Sequence, residues 1–346
     1  MSELRQVVDE VARAGDFSGV VRVDAGPEVL VSAAHGLADR THGVPNSTHT
    51  RFATASGTKL LTALAVGRLI DEGKCALESR LLDLLEVELP GVSEDVTVRH
   101  LLSHTSGVYD YLDEEVIEDF DNFELPVAPH KLLTPTDYLP MLTAGPQKFA
   151  PGARFSYSNG GYVMLGLLIE QLAGSYHQYI QREVMGPAGM TDSGFFRFDE
   201  LPPHTATGYR RVDGKWRSNV HVLPVIGGPD GGAFVTAADV TRLWRALLSS
   251  QLLSPGLTRE FLTEAAHYRG HEHYGHGLWI DDDRTEPPIL FITGSDAGVS
   301  FHSSCHGDDL IATIASNATD GAWSMARAVK DHLQAAYPRE QRAFRV

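Results

Sequence analysis

The chain has 346 residues, 42% of them hydrophobic, which is enough to bury a substantial core in one large domain or two intimately packed ones. Lys and Arg number 29 against 45 Asp and Glu, and the net charge of −16 argues against nucleic acid or an anionic membrane surface as a partner. The only cysteines, Cys75 and Cys305, are too few for a disulfide framework.

The first residues predict a helix rather than a targeting signal. Residues 1–15 place Leu4, Val8 and Val11 on one face, and they lack the basic start and unbroken apolar core of a secretory signal. No apolar run of the sequence is long enough to span a bilayer. For a chain that begins at Met1, these features predict a cytoplasmic location.

Strand patterns occur near both ends of the chain. Short β-branched runs at 19–23 and 29–33 predict a hairpin. The last quarter contains further runs that predict consecutive strands, at 275–280, 289–294, 298–304 and 310–315. These runs can form one antiparallel sheet with the hairpin, covered by a closing helix over 323–336.

A serine and a lysine precede the first long apolar helix pattern. Ser56 lies directly before a run with helical spacing that ends at Gly73, so Lys59 falls one turn along on the same face. A serine hydroxyl needs a neighbouring base to become a nucleophile, and a helix N-terminus favours developing negative charge. Taken alone, the pattern favours an ordinary N-cap serine and a solvated lysine.

The middle of the chain contains a long acidic stretch. Residues 110–124 carry Asp and Glu at many positions and neither Lys nor Arg. We interpret this stretch as a solvated surface loop. The alternative is an acidic wall that repels anionic substrates and attracts cationic ones.

Two groups of histidines are candidate metal ligands. His100 and His104 are four residues apart in a predicted helix, but no third ligand is near them, so we expect them to hydrogen-bond the following loop. The second group has irregular spacing in a turn-rich stretch, which favours plain surface histidines, and comprises His267, His271, His273 and His276.

Tyr157 and Asn159 precede another apolar helix pattern, at 162–172. A phenol can exchange protons with a serine hydroxyl if a nearby ammonium lowers its pKa, and an amide can orient a substrate carbonyl or a lysine. By itself, a Tyr-x-Asn tripeptide such as Tyr157-Ser158-Asn159 is common and does not indicate a catalytic site.

Together these motifs resemble one family. Ser56-x-x-Lys59, His100-Leu-Leu-Ser-His-Thr-Ser-Gly107, Phe149-Ala-Pro-Gly-x-x-Phe-Ser-Tyr157-Ser-Asn159, Gly231-Gly-x-x-x-Thr-Ala-Ala-Asp239 and Thr293-Gly294 occur in the order and spacing of class C β-lactamases and penicillin-binding-protein-like serine hydrolases. This group also contains DD-peptidases, D-aminopeptidases and esterases. The resemblance covers roughly residues 5–335.

The resemblance implies an α+β fold of the β-lactamase/transpeptidase type. An antiparallel sheet flanked by the N- and C-terminal helices would comprise residues 1–55 and 216–346. A mostly helical domain, residues 56–215, would be inserted in mid-chain. The catalytic cleft would lie between the two.

The resemblance also implies residue roles. Ser56 would be the acyl-accepting nucleophile, Lys59 its proton partner, Tyr157 the general base and Asn159 an orienting group. The backbone N–H groups of Ser56 and Ser295 would form the oxyanion hole. The substrate-binding strand motif would comprise Thr293, Gly294 and Ser295. This mechanism needs no cofactor and no metal.

One position departs from the family pattern. Ile292 stands before Thr293-Gly294, where the β-lactamases and peptidases of the group have Lys or His, so the cation that pairs with a substrate carboxylate is missing. We therefore expect a serine esterase or amidase acting on a small neutral or cationic ester or amide. The alternatives are a true β-lactamase or DD-carboxypeptidase, and a catalytically silent binding scaffold. The sequence does not set the oligomeric state.

Overall fold

The computed structural model describes residues 3–15, 17–117, 123–283, 287–307 and 309–337. Its α-helices are α1 (Glu3–Ala14), α2 (Lys59–Asp71), α3 (Leu81–Leu84), α4 (Val98–Leu102), α5 (Leu139–Leu142), α6 (Asn159–Ala173), α7 (Tyr176–Ile180), α8 (Ala237–Leu248), α9 (Pro255–Phe261) and α10 (Gly321–Ala336). Short 3₁₀ helices cover Ala55–Thr58, Pro129–Lys131 and Pro135–Tyr138, and a π-helical turn covers Gln181–Met185.

The strands, in chain order, are β1 (Gly19–Ala25), β2 (Glu28–His35), β3 (Leu37–Asp39), β4 (Val44–Pro45), β5 (Phe52–Ala53), β6 (Tyr209–Val212), β7 (Lys215–Ser218), β8 (Phe234–Val235), β9 (Ala266–Arg269), β10 (Glu272–Tyr274), β11 (Trp279–Asp281), β12 (Ile289–Asp296), β13 (Val299–Cys305) and β14 (Leu310–Ser316). In the described part of the chain, no helix combines the length and the apolar character needed to cross a membrane.

The main sheet joins the two ends of the chain. Within the described residues it has eight strands in the order β2-β1-β14-β13-β12-β11-β10-β9, with antiparallel pairing throughout. Strand β1 pairs with β14 from Gly19 opposite Ser316 to Ala25 opposite Leu310. The predicted antiparallel sheet of the α+β fold is therefore confirmed.

Alternate residues of β14 face two different cores, as the two-residue period of a strand requires. Ile314 belongs to a cluster with Leu4 of α1 and Leu333 of α10, so the two terminal helices cover this face of the sheet. Ile311 and Ala315 belong instead to the larger cluster. Both faces of the central strand are thus buried.

The larger cluster continues into the middle of the chain. It includes strand residues such as Val20 and helix residues such as Leu64 of α2 and Ile169 of α6. Nearly every residue of α2 from Lys59 to Leu69 is buried, so this helix is enclosed rather than amphipathic. Because one core spans both predicted units, the division into residues 1–55 with 216–346 and 56–215 stays a prediction.

The sheet edge differs from the sequence-based expectation. The stretch interpreted as turn-rich forms the hairpin β9–β10, and β11 begins at Trp279 instead of 275. Residues before β11 form a turn in which Gly277 has φ +88°, and a Cβ there would lie 2.5 Å from Ala63 Cβ of α2. Only glycine permits this conformation together with so close an approach.

Candidate active site

The predicted nucleophile lies on a strained turn. Ser56 is in the 3₁₀ helix between β5 and α2, and the preceding Ala55 has φ +44°, a left-handed conformation that is uncommon for residues other than glycine. The hydroxyls of Thr54 and Thr58 are 3.0 Å apart, and Thr58 Oγ1 accepts the Ala233 N–H at 3.0 Å. These bonds hold the turn against the strand pair β5–β8.

Strand β12 packs directly on this turn. A Cβ at Gly294 would lie 2.1 Å from the Thr54 carbonyl oxygen and 2.7 Å from the Ser56 backbone nitrogen. Gly294 therefore permits a backbone approach that any side chain would prevent. Ser295, the next residue, lines the same cavity as Ser56.

Lys59 is buried beneath the serine. Its side chain is 1% exposed, and its Nζ donates to Ser56 Oγ at 3.1 Å, Asn159 Oδ1 at 2.8 Å and the Asp230 carbonyl oxygen at 2.7 Å. Burial lowers the pKa of Lys59, and the nearby carboxylate of Asp230 opposes this shift. A lysine with a lowered pKa next to a serine hydroxyl can accept its proton.

Tyr157 also lies next to the serine, and its hydroxyl interacts with the Ser56 side chain. Its ring centroid is 4.8 Å from Lys59 Nζ, 4.2 Å from the His104 ring and 6.1 Å from the nearly parallel Trp279 ring. Burial in these surroundings raises the pKa of Tyr157 well above its usual value. The resting phenol is therefore protonated, the opposite of the lowered pKa considered from the sequence.

Asn159 is held at the first position of α6. Its backbone N–H donates to Asp110 Oδ2 at 2.8 Å, and that of Gly160 donates to Asp110 Oδ1 at 2.9 Å. Asp110 is only 3% exposed, and burial raises its pKa to about 6. The interpretation of 110–124 as a solvated loop is wrong at this residue, because Asp110 accepts the backbone donors at the start of α6. Glu118, Asp119 and Asp121 of that stretch lie outside the described residues.

A cavity of about 180 Å³ opens at Ser56. Its wall is mostly apolar and aromatic, with Tyr111 and Tyr138 among its residues, and it contains the carboxyl groups of Glu114, Asp230 and Asp296. Among the described residues that line it, none is Lys, Arg or His. The described part of the cavity wall therefore presents acidic groups to a ligand and no cationic side chain.

The pKa of each cavity carboxyl group is raised. Desolvation, with repulsion by Asp230, raises the pKa of Asp296 to about 7. Desolvation also raises the pKa of Asp230, although Tyr111 donates a hydrogen bond to it. Glu114 keeps contact with solvent at the cavity wall, and its pKa is raised by desolvation as well.

Sequence reasoning missed Asp230 and Asp296. The glycine-rich run 227–232 around Asp230, and the position of Asp296 directly after Thr293-Gly294-Ser295, were the available signals.

The predicted site residues come together in part. Ser56, Lys59, Tyr157 and Asn159 form one contiguous group, and Ser295 lines the cavity that opens at Ser56. Thr293 is not among the described cavity-lining residues, and its hydroxyl donates to the Phe301 carbonyl at 3.1 Å. Ile292 is 4% exposed and belongs to the larger core cluster.

The histidines have diverse roles. His100 Nδ1 accepts the Thr97 N–H at 3.2 Å, whereas His104 Nδ1 accepts the Ser158 N–H at 3.0 Å, so each ring stabilises a different loop. His276 is fully buried and stacks on Phe261, which corrects its interpretation as a surface residue. Burial lowers the pKa of His276 to about 4.

Comparisons with known proteins agree with this geometry. The profile of the family described as Beta-lactamase matches residues 4–337. A solved penicillin binding protein from Bacillus halodurans is 37% identical, with a TM-score of 0.89 over 97% of this chain and 100% of that one. Esterase EstB of Burkholderia gladioli is 31% identical over 77% of this chain and 73% of its own.

The putative penicillin-binding protein PbpX of Bacillus subtilis is 27% identical over 76% of this chain, which spans only 62% of the length of PbpX. The family match nevertheless extends over nearly the whole chain and contains the serine, lysine, tyrosine and asparagine that the fold brings together. The protein belongs to the beta-lactamase family of serine hydrolases.

Proposed function

We propose that this protein hydrolyses an ester or amide bond through an acyl-enzyme on Ser56. The observation that carries the proposal is the 3.1 Å hydrogen bond from the buried Lys59 Nζ to Ser56 Oγ. The serine oxygen would attack the substrate carbonyl carbon, and the backbone N–H groups of Ser56 and Ser295 would stabilise the oxyanion. Loss of the alcohol or amine leaves the acyl-enzyme, which water then hydrolyses.

The pKa directions favour Lys59 as the first proton acceptor. Burial lowers the pKa of Lys59 and raises that of Tyr157, so the lysine releases its proton more easily and can be neutral when substrate arrives. The Tyr157 phenol would then donate a proton to the leaving group, and the resulting phenolate would take a proton from the water that hydrolyses the acyl-enzyme. Lys59 would return its proton to the Ser56 oxygen as that oxygen is released. This assignment differs from the sequence-based role of Tyr157 as the general base. Asn159 would orient Lys59 through its 2.8 Å hydrogen bond.

The cavity favours small neutral or cationic substrates. Glu114, Asp230 and Asp296 would repel a substrate carboxylate. The buried Ile292 supplies no cation where many family members have one. The likeness to EstB supports an esterase, and the same cavity would accept an amide of similar size.

The test is hydrolysis of a short-chain p-nitrophenyl ester by the wild type, Ser56→Ala and Ser218→Ala. Ser218 is exposed on β7, so its variant is the matched control. We expect Ser56→Ala to lose at least about 10⁴-fold in kcat while Ser218→Ala keeps the wild-type rate. A folded Ser56→Ala variant with wild-type turnover would contradict the proposal.

Tyr157→Phe tests the proton path. Because the phenol would protonate the leaving group, we expect a 10²–10⁴-fold lower kcat for an alkyl ester. The loss should be smaller for a nitrophenyl ester, whose leaving group needs no protonation. Steady-state rates with both esters check this, with circular dichroism as the folding control. Equal losses with both esters would instead favour Tyr157 as the base that activates Ser56.

A second candidate, acylation by penicillins, is favoured by the likeness to the Bacillus halodurans penicillin binding protein. Mass spectrometry after incubation with benzylpenicillin distinguishes the two. A stable adduct on Ser56 supports penicillin recognition, and its absence from an active esterase supports the first candidate.

We also propose a cytoplasmic location, supported by the presence of only two cysteines, Cys75 and Cys305, in the 346 residues.

A further inference from the structure

The hairpin β9–β10 brings together three potential metal ligands outside the cavity. His267 and His273 are directly opposite each other on the two strands, and their Nδ1 atoms are 3.3 Å apart. Glu264 Oε1 lies 2.9 Å from His273 Nδ1. One donor atom from each of the three residues lies within 4.8 Å of the other two.

We propose that Glu264, His267 and His273 form a binding site for a divalent transition metal, preferentially zinc. Two nitrogens bound to Zn²⁺ at about 2.0–2.1 Å in a tetrahedral arrangement lie about 3.3 Å apart. The two Nδ1 atoms already have this separation. Two imidazoles and a carboxylate are ligands that zinc accepts, with the fourth position left for water.

The acidic groups around His273 also favour a cation at this point. Its Nε2 lies 3.3 Å from Asp282 Oδ2, and its Nδ1 lies 2.9 Å from Glu264 Oε1, so a carboxylate approaches each ring nitrogen. A divalent ion bound to Nδ1 would offset the negative charge of these carboxylates. A carboxylate behind a ligating histidine is a common feature of zinc sites, where it orients the ring.

The site is accessible and lies close to the catalytic group. His267 is exposed, whereas the His273 side chain is only 12% exposed. On the same hairpin, the Tyr268 and Tyr274 rings are 5.3 Å and 4.8 Å from the Trp279 ring, which stacks on Tyr157. A bound ion would cross-link the edge of the sheet next to these aromatic rings.

His271 provides the matched control. It lies in the same hairpin, but its Nε2 is directed to Asp281 Oδ1 at 3.5 Å and it is not part of the three-residue group. Loss of this histidine removes one imidazole from the hairpin and leaves the proposed ligands in place.

Calorimetric titration of the metal-free wild type with zinc tests the proposal. We expect one equivalent to bind, with affinity reduced at least tenfold in His267→Ala and in Glu264→Gln and unchanged in His271→Ala. Cobalt(II) should give the intense visible absorption of a tetrahedral site in the wild type, and this absorption should be lost in His267→Ala. Because Ser56→Ala leaves the three ligands intact, it should bind zinc like the wild type, so the result does not depend on the hydrolase proposal.

Two outcomes would overturn the proposal. One is a folded wild type that binds zinc no more tightly than His267→Ala. The other is an equal loss in His271→Ala, which would indicate nonspecific binding by the hairpin histidines. Either result would indicate that a hydrogen bond, and not a metal ion, accounts for the 3.3 Å between the Nδ1 atoms of His267 and His273.

Discussion

Four carboxyl groups act on Lys59, and its single positive charge cannot neutralise all of them. Asp110, Asp230, Glu114 and Asp296 all act on it, and each has a pKa raised by desolvation. Each of these residues can therefore hold its proton to a higher pH than in water, which limits the repulsion among them. A cationic ligand would relieve that repulsion, and this is the physical reason for the proposed preference for cationic substrates.

The pKa of Asp296, about 7, gives this preference a pH dependence. As the pH rises through 7, the side chain ionises and the cavity becomes more negative. We expect kcat/KM for a cationic ester, divided by that for a neutral ester of equal size, to rise several-fold between pH 6 and pH 8 in the wild type. In Asp296→Asn the ratio should stay flat.

Glu28→Gln, which removes an exposed carboxylate on β2, is the control and should retain the wild-type profile. A kcat/KM ratio that rises more steeply with pH in Asp296→Asn than in the wild type would contradict the role given to Asp296.

Ionisation of Asp296 should also lower the stability of the fold. Because folding raises the pKa of Asp296, the folded state binds more protons than the unfolded state at intermediate pH. The contribution of Asp296 to the free energy of unfolding therefore decreases as the pH rises from about 4, its unfolded pKa, to about 7. Urea titrations of the wild type and Asp296→Asn across this range measure that slope.

At the scale of elements, the site depends on how closely β12 approaches the turn before α2. The turn alone supplies the serine and its lysine, and the strand alone supplies the backbone of Ser295. Only their contact at Gly294 brings the two predicted oxyanion donors to one cavity.

Gly294→Ala tests this contact. The added methyl would meet the Thr54 carbonyl oxygen and the Ser56 nitrogen, both backbone atoms, so the strand and the turn must separate. A displacement of about 1 Å at reacting groups can cost about 10²-fold in rate. We expect a loss of this size in kcat for ester hydrolysis, with the circular dichroism spectrum unchanged.

Gly256→Ala in α9 is the matched control, because a Cβ there has no neighbour within 4 Å. It should keep the wild-type rate. Wild-type kcat in Gly294→Ala would show that the close approach has no catalytic role.

At the scale of the whole molecule, the two cores lie on opposite faces of the sheet, and only the larger one encloses Lys59. The smaller cluster, formed by α1, α10 and one face of the sheet, contains Leu4, Ile314 and Leu333. The larger cluster encloses α2, and with it Lys59, on the other face. The terminal segments thus close the fold on the side of the sheet away from the serine.

Leu333→Ala should therefore destabilise the fold without impairing the chemistry. Leu333 is fully buried in α10, and truncation of a buried leucine typically costs about 2–5 kcal/mol of unfolding free energy. We expect this loss in urea titration, with kcat at 25 °C within twofold of the wild type. Gln334→Ala, at an exposed position of the same helix, should change stability by less than about 0.5 kcal/mol. A folded Leu333→Ala variant with strongly reduced kcat would contradict this separation of the two cores.

Much of the sheet was predictable because its central strands carry β-branched runs that local physics favours. The edge hairpin β9–β10 was not predictable in this way, because its strands are short and contain no β-branched residue. Its pairing depends on β11, which is placed by the turn at Gly277 against α2. Edge strands of this kind receive their stability from neighbours rather than from their own sequence.

The sequence by itself placed Lys59 on the same helix face as Ser56, because a separation of three residues in helical backbone brings side chains onto one face whatever surrounds them. It also determined the sign of the net charge and the central strands of the sheet. Only the tertiary structure decided that Asn159 and Asp230, far along the chain, contact the lysine, and that Asp296 joins the same cavity. The directions of the pKa shifts were decided there as well, since desolvation depends on what a fold places around a group and not on its neighbours in sequence.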